Sequence, residues 1–263
     1  MPATGRVVTF NRSMTADAVS PSAPSEKAVA VEIVVDDVAG TLAAEAAGAD
    51  RVELCADLCQ GGTTPSLGMV RMVLARVASI GVQIMVRPRG GDFVYDADEL
   101  AVMEEDCRAI RDLAADVPVR VGIVTGVLTP DAAIDEAAMA RLVAAAGPVP
   151  VTCHKAFDAT ADLDAAYAAL GRLGVERVLT SGGAATALAG ADALARLVRA
   201  PGPEVLAGGG VRPDNVAQVV ALSRVDQVHL RAQSDSVRRD GTLETDPAIV
   251  RAVLDALGSV APR

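Results

Sequence analysis

Two arginines in the segment V-Q-I-M-V-R-P-R-G-G-D-F (82–93) are the side chains most suggestive of a chemical role. They follow an apolar run typical of a buried strand, and Pro88 holds the backbone between Arg87 and Arg89 extended, so both are predicted to share one face. Adjacent guanidiniums at a strand end are costly unless an anion or carboxylates face them. We interpret the pair, with Asp92, as a site for a small anionic molecule. An internal salt-bridge network is the alternative.

Other polar side chains stand at the ends of predicted strands, and strand alternation turns them towards one interior. Carboxylates and imidazoles suit proton transfer, so Glu53 and His154 are candidate acid–base groups, and Glu32 and His229 are candidates for orienting them. Structural pairing among these groups is the alternative. Lys155 is expected at the rim. The residues predicted to point inwards are Glu32, Glu53, Cys55, Arg87, Arg89, Thr125, Thr152, His154, His229 and Arg231.

Two glycine-rich turns, T-S-G-G (180–183) and A-G-G-G (207–210), each precede a predicted helix. Backbone N–H groups at such turns bind phosphate or carboxylate, which makes Ser181, Gly182, Gly208 and Gly209 candidate substrate-binding residues. Tight turns without a ligand are the alternative. The spacing of a dinucleotide-binding motif is absent.

These candidates depend on a repeating strand–helix pattern that begins at residue 28. Eight units in about 235 residues predict a TIM-like (β/α)₈ barrel spanning 28–263. A doubly wound open sheet is the alternative, because alternation alone does not show closure. Residues 1–27 are rich in Ser, Pro and Ala without a period and are predicted to be a disordered tail. The predicted strands are 29–35, 51–55, 82–87, 121–127, 149–155, 177–180, 204–207 and 227–231.

Composition narrows the class of protein and its compartment. Hydrophobic residues make up 51% of the 263 and aromatic residues 2%, so Ala, Val and Leu must build the core. The formal charge of −10 argues against nucleic acid or an anionic membrane as partner. No segment has the apolar run of a membrane span or a signal peptide. The four cysteines are interpreted as reduced thiols, Cys107 and Cys153 as buried ones, which favours a cytoplasmic protein.

Several segments resemble the CutC copper homeostasis family. They run in order along the chain after the tail: A-D-R-V-E-L-C (49–55), G-G-T-T-P-S-L-G (61–68), R-P-R-G-G-D-F (87–93), T-G-V-L (125–128), H-K-A-F-D (154–158), V-L-T-S-G (178–182) and A-G-G-G-V (207–211). The resemblance implies a TIM-like barrel, a cytoplasmic setting, association with copper(I) and self-association into a homo-oligomer.

The chain departs from this family at the copper ligands. Members usually carry a cysteine two residues after the strand-one glutamate, where this chain has Val34 after Glu32. Cys55 is then the remaining metal-ligand candidate, and copper(I) binding is predicted to be weak. Two further departures lie near the mouth. Lys155 stands where members have an arginine, and Leu230-Arg231 stands where small serine-like residues are usual, which adds a cation. Two functions follow: a copper(I)-binding homeostasis protein, or an enzyme of lyase- or isomerase-like proton transfer on a small anionic or phosphorylated metabolite.

Overall fold

The computed structural model describes residues 29–237 and 243–258. Eight parallel strands form a closed barrel, because β1 pairs with both β2 and β8. This confirms the predicted (β/α)₈ barrel and excludes the open sheet. The predicted tail, 1–27, lies outside the described residues. The barrel strands are β1 Ala30–Val35, β2 Arg51–Leu54, β3 Gly81–Met85, β4 Val121–Thr125, β5 Val151–Cys153, β6 Arg177–Thr180, β7 Glu204–Gly208 and β8 Gln227–Leu230.

A helix follows each barrel strand, and side-chain caps fix where several of them begin. Asp96 and Glu99 form a complete capping box at α3, and Asp135 and Asp162 accept hydrogen bonds from the first-turn N–H groups of α4 and α5. None of the helices within the described ranges is long and apolar enough to cross a bilayer. The helices are α1 Val38–Ala47, α2 Leu67–Leu74, α3 Ala97–Ala114, α4 Glu136–Ala146, α5 Leu163–Arg172, α6 Ala191–Arg199, α7 Val216–Ser223 and α8 Pro247–Gly258.

Several predicted boundaries differ from the observed ones, and some elements were not predicted. β5 ends at Cys153, and a 3-10 helix, Lys155–Ala159, begins where the strand was expected to continue. An antiparallel hairpin of β9 (Gln233–Val237) and β10 (Leu243–Thr245) stands between β8 and α8. Its first strand, Q-S-D-S-V, has no apolar alternation, so the sequence pattern gave no signal for it.

The main apolar core lies between the outer faces of the strands and the helices. Ile33, Leu54 and Ile84 are fully buried there, together with Met139 and Leu170 from the helix layer. Burying each such side chain stabilises the fold by about 1.5–3 kcal/mol. Aliphatic side chains dominate this layer, as the scarcity of aromatic residues predicts.

Barrel interiors are usually filled with branched apolar side chains. In this protein the lower half of the interior is polar. Arg177 is only 2% exposed; its Nε donates to Gln227 Oε1 at 2.8 Å and its Nη1 to Thr152 at 3.2 Å. Arg51 Nη2 also donates to Gln227 Oε1, at 2.7 Å. This hydrogen-bonded layer closes the bottom of the barrel and supports the residues above it.

Candidate functional site

A cavity of about 170 Å³ opens at the C-terminal end of the barrel strands, the end at which barrel enzymes place their sites. Four predicted residues from distant parts of the sequence meet there: Glu53, Arg87, His154 and His229. Among the described residues, the cavity is lined by Val34, Glu53, Leu58, Gly61, Met85, Arg87, Phe93, His154, Lys155, Leu179 and His229.

The imidazole of His229 lies between two buried carboxylates. Its Nδ1 is 3.0 Å from Glu32 Oε1, and its Nε2 is 3.8 Å from Glu53 Oε2. Burial acts to lower the pKa of His229, but the charges of Glu53 and Glu32 outweigh burial and raise this pKa above its ordinary value. The two carboxylates thus favour the charged form of His229, and Glu32 fixes the orientation of its ring.

The two carboxylates differ in their ionisation because their surroundings differ. Burial acts to raise the pKa of Glu32, but the hydrogen bond to His229 and the charge of Arg51, whose Nε lies 2.8 Å from Glu32 Oε2, lower it to about 2. Glu53 pairs with no arginine of the described ranges, and burial raises its pKa to about 7. Glu32 thus stays ionised, whereas Glu53 exchanges its proton near neutral pH, a property shared by acid–base groups and by some structural networks.

His154 contributes a neutral imidazole to the cavity wall. Its Nδ1 accepts a hydrogen bond from Ala156 N at 3.2 Å, so the ring proton is assigned to Nε2. Burial and the nearby charge of Arg87 lower the pKa of His154 to about 3. Gly126 permits this position, because a Cβ there would lie 2.7 Å from the ring. The Nε2 atom is buried without a hydrogen-bond partner among the described residues.

Arg87 is 5% exposed, and the hydrogen bonds of its Nη1 and Nη2 atoms go to backbone carbonyls. Nη1 donates to Gln60 O at 3.0 Å and Gly62 O at 2.9 Å, and Nη2 donates to Gly91 O at 2.8 Å. Its guanidinium carbon lies 4.9 Å from the centroid of the Phe93 ring. Within the described residues, Arg87 forms no ion pair with a carboxylate, so its positive charge is not neutralised by a direct partner.

Opposite these groups, the glycine-rich turn after β6 is filled by an internal carboxylate. Asp158 accepts hydrogen bonds from Ser181 N at 3.0 Å, Ser181 Oγ at 3.0 Å and Gly183 N at 2.9 Å, and another from Thr180 Oγ1. Lys155 Nζ contacts both Asp158 and Ser181 Oγ. Lys155 lies at the rim, as expected, and its ammonium is held by this network.

Sulfur-containing side chains form a small cluster inside the barrel mouth, separate from the main core. Cys55 and Met85 pack with Val124 and are 1% and 4% exposed. Both approach Gly62, where an added Cβ would lie 3.1 Å from Cys55 Sγ and 3.7 Å from Met85 Cε. Burial and the charge of Glu53 raise the pKa of the Cys55 thiol well above its ordinary value. The site thus offers one thiol and one thioether, the soft donors that copper(I) prefers.

A second donor set, Glu32, Glu53 and His229, has ligand atoms within 4.8 Å of one another. Its oxygen and nitrogen atoms are harder donors than copper(I) prefers, and Glu32 is already paired with Arg51. The thiol of Cys55 and the thioether of Met85 are softer donors than this set.

Other predicted site residues lie outside the cavity lining. The prediction that Arg89 points inwards with Arg87 is wrong: it is 39% exposed and pairs with Glu99 of α3 and with Asp92. β3 ends at Met85, so alternation does not extend to Arg89.

Two further inward assignments, and the predicted role of the glycine turns, also differ. The cluster of Cys55, Met85 and Val124 places Val124 on the inner face of β4, and Thr125 is therefore on the outer face. Arg231 is exposed beyond the end of β8. The glycine turns, with Ser181, Gly182, Gly208 and Gly209, stand beside the cavity and not in its wall.

Sequence reasoning missed several residues that shape the site. In the sequence, Met85 and Phe93 do not differ from ordinary core residues. No local signal distinguishes a methionine that lines a cavity from a methionine in the core. Arg51 is the first residue of β2. Its ion pair with Glu32 was not predicted, although it follows from the register of β1 and β2. Asp158 is the last residue of H-K-A-F-D, but its hydrogen bonds to the T-S-G-G turn depend on a tertiary contact.

The fold and the cavity define a class: a (β/α)₈ barrel whose C-terminal mouth combines buried carboxylates, two imidazoles, an arginine and a thiol–thioether pair. Residues 29–234 match the CutC family, and the chain belongs to that family.

Comparison with individual relatives agrees with this assignment. The chain is 46% identical over 221 residues to a family protein CutC of Mesorhizobium japonicum, covering 83% of each chain. It is 43% identical to the human copper homeostasis protein cutC homolog, covering 80% of this chain and 78% of the human one. A crystal structure of the putative copper homeostasis protein CutC from Streptococcus agalactiae superposes with a TM-score of 0.68 at 31% identity, covering 76% of this chain and 97% of that one.

Proposed function

We propose that this protein acts in copper homeostasis and binds copper(I) as cargo at the barrel mouth through Cys55 and Met85. The observation that carries the proposal is the packing of a thiol and a thioether together inside the mouth, apart from the main core. The name of the human relative, a copper homeostasis protein homolog, supports the same role. Thiolate and thioether ligands select copper(I) over harder metal ions.

Binding at this pair is expected to be weak and to release a proton. The thiol is protonated because burial raises its pKa, and a metal must displace that proton. Glu53 Oε2 lies 3.7 Å from Cys55 Sγ and is positioned to receive it. Copper(I) affinity should therefore rise with pH.

A titration of copper(I) against a competing chelator, under anaerobic conditions, tests the ligand assignment. Cys55→Ser and Met85→Leu should each weaken binding by at least about tenfold, or ~1.4 kcal/mol, because each removes one soft donor. Cys59→Ser is the matched control, since Cys59 is an exposed thiol on the same loop. Binding that survives Cys55→Ser, or that Cys59→Ser abolishes, would show that the copper ligands lie elsewhere.

We also propose a cytoplasmic location and a homo-oligomeric state. All four cysteines are free thiols, as expected in a reducing compartment. The neighbouring helices α2 and α3 expose Met72 and Val102 to about half of their surface, at 50% and 52%. Light scattering coupled to size exclusion should give a mass above that of one chain, and Met72→Lys with Val102→Lys should reduce it. A wild-type mass equal to that of one chain would contradict the homo-oligomeric state. Leu222→Lys, at an exposed position on α7, is the control and should leave the mass unchanged.

A further inference from the structure

The cavity contains features that copper(I) binding does not use. We propose that it is also a binding site for a small hydroxy acid, whose carboxylate accepts hydrogen bonds from His154 and Arg87 and whose hydroxyl group pairs with Glu53. This goes beyond the copper proposal, because the contacts concerned are hydrogen bonds with His154, Arg87 and Glu53 and not metal ligation by Cys55 and Met85. The two sites are neighbours at one mouth, and each can be tested without the other.

The His154 ring supplies the first contact. Ala156 N donates a hydrogen bond to Nδ1 of His154, so the neutral ring carries its proton on Nε2 and can donate from that atom. This residue is 4% exposed and lines the cavity, and Nε2 has no partner among the described residues. A buried donor left without an acceptor is unfavourable. An oxygen atom of a bound ligand would satisfy it.

Arg87 supplies the second contact and the charge preference. Three of its five N–H groups are taken up by the carbonyls of Gln60, Gly62 and Gly91. Its Nε is buried and has no hydrogen-bond partner within the described ranges. Because carbonyl oxygens carry no net charge, the guanidinium beside His154 favours an anion in the cavity.

Glu53 adds a requirement for a donor on the same ligand. Its Oε1 is buried and lacks a partner among the described residues, while Oε2 faces His229 and Cys55. A hydroxyl group can pair with either form of a carboxyl group, since it both donates and accepts. A ligand with a carboxylate at one end and a hydroxyl group nearby would satisfy all three groups.

The turn after β6 and the cavity size favour a carboxylate over a phosphate. The N–H groups of Ser181 and Gly183 already bind Asp158, and Lys155 is paired with it, so a phosphate there would have to displace an internal anion. The cavity volume of about 170 Å³ is below the roughly 300 Å³ of pockets that hold drug-sized ligands. A short-chain acid fits this space better than a sugar phosphate.

Calorimetric titration of the copper-free protein with glycolate, L-lactate and D-glycerate tests the proposal, with inorganic phosphate and 2-phosphoglycolate for comparison. At least one hydroxy acid should bind more tightly than either phosphate. In His154→Asn, the shorter amide can still cap Ala156 N but lacks the Nε2 donor, so affinity should fall about ten- to hundredfold. Arg87→Lys should cause a similar loss, because lysine keeps the charge without the planar donors.

Arg89→Lys is the matched control, since Arg89 follows the same strand but lies outside the cavity, and its affinity should equal that of the wild type. Thermal unfolding of each variant separates loss of the site from loss of the fold. If His154→Asn does not fold, the comparison of Arg87→Lys with Arg89→Lys decides. The proposal is overturned if no hydroxy acid binds, if a phosphate binds as tightly, or if the Arg87 and Arg89 variants behave alike.

Discussion

Glu32→Gln should destabilise the protein by about 3–5 kcal/mol, as expected when one partner of a buried ion pair is removed. Glu32 is 1% exposed and holds both Arg51, at 2.8 Å, and His229, at 3.0 Å. The amide has the same shape but no charge, so Arg51 would be left without its carboxylate. If the NH₂ group of the new amide faced His229, it would oppose the ring N–H, which is also a donor. If it faced Arg51, the guanidinium would lose its acceptor. Urea unfolding at pH 7 measures the loss.

The pH dependence of this effect has a definite sign. The pKa of Glu32 is lowered from 4.5 to about 2 in the folded protein, so its stabilisation is complete above pH 4.5 and is lost as the pH falls towards 2. The difference between wild type and variant should therefore shrink in acid. Glu105→Gln, which removes an exposed partner of Arg108, should leave stability nearly unchanged. An equal cost for both variants, or a cost that does not depend on pH, would contradict the account.

Glu53→Gln should have the opposite effect and stabilise the protein at pH 8, by up to about 3 kcal/mol. Burial raises the pKa of Glu53 from 4.5 to about 7, so ionisation is more costly in the folded state than in the unfolded chain. The contribution of Glu53 to the stability of the wild type should fall as the pH rises from 4.5 to 7 and then level off. The variant, which carries no ionisable group there, should lack this fall.

The measurement is the free energy of unfolding in urea at several values between pH 4 and pH 9. At pH 4 the wild type and Glu53→Gln should be nearly equal, because the Glu53 carboxyl group is then protonated in the folded protein. Curves that stay parallel over the whole range, or a variant that is less stable at pH 8, would show that His229 fully compensates the Glu53 charge. A gain at high pH would identify a residue kept at the cost of stability, as is common at functional sites.

The errors of the sequence-based predictions have identifiable causes. Strand alternation placed Glu53, Arg87, His154 and His229 at one mouth, because each lies within a strand or one or two residues beyond its end. It failed for Arg89, four residues beyond the end of β3, where hydrogen bonding to neighbours no longer imposes the period of two. For Thr125 the cause was different: V-G-I-V-T is buried along its whole length, so polarity does not indicate which face is inside.

The sequence by itself determined the class of fold, the family and the inventory of reactive side chains. Those properties depend on local periodicity and on motifs that are contiguous in the chain, which need no knowledge of distant contacts. The tertiary structure alone decided which charges are paired. Arg51 and Glu32, 19 residues apart, meet through strand register, whereas Arg87 is surrounded by carbonyls and Asp158 fills the turn after β6. Ionisation and binding depend on distance and burial, and only closure of the barrel sets those quantities.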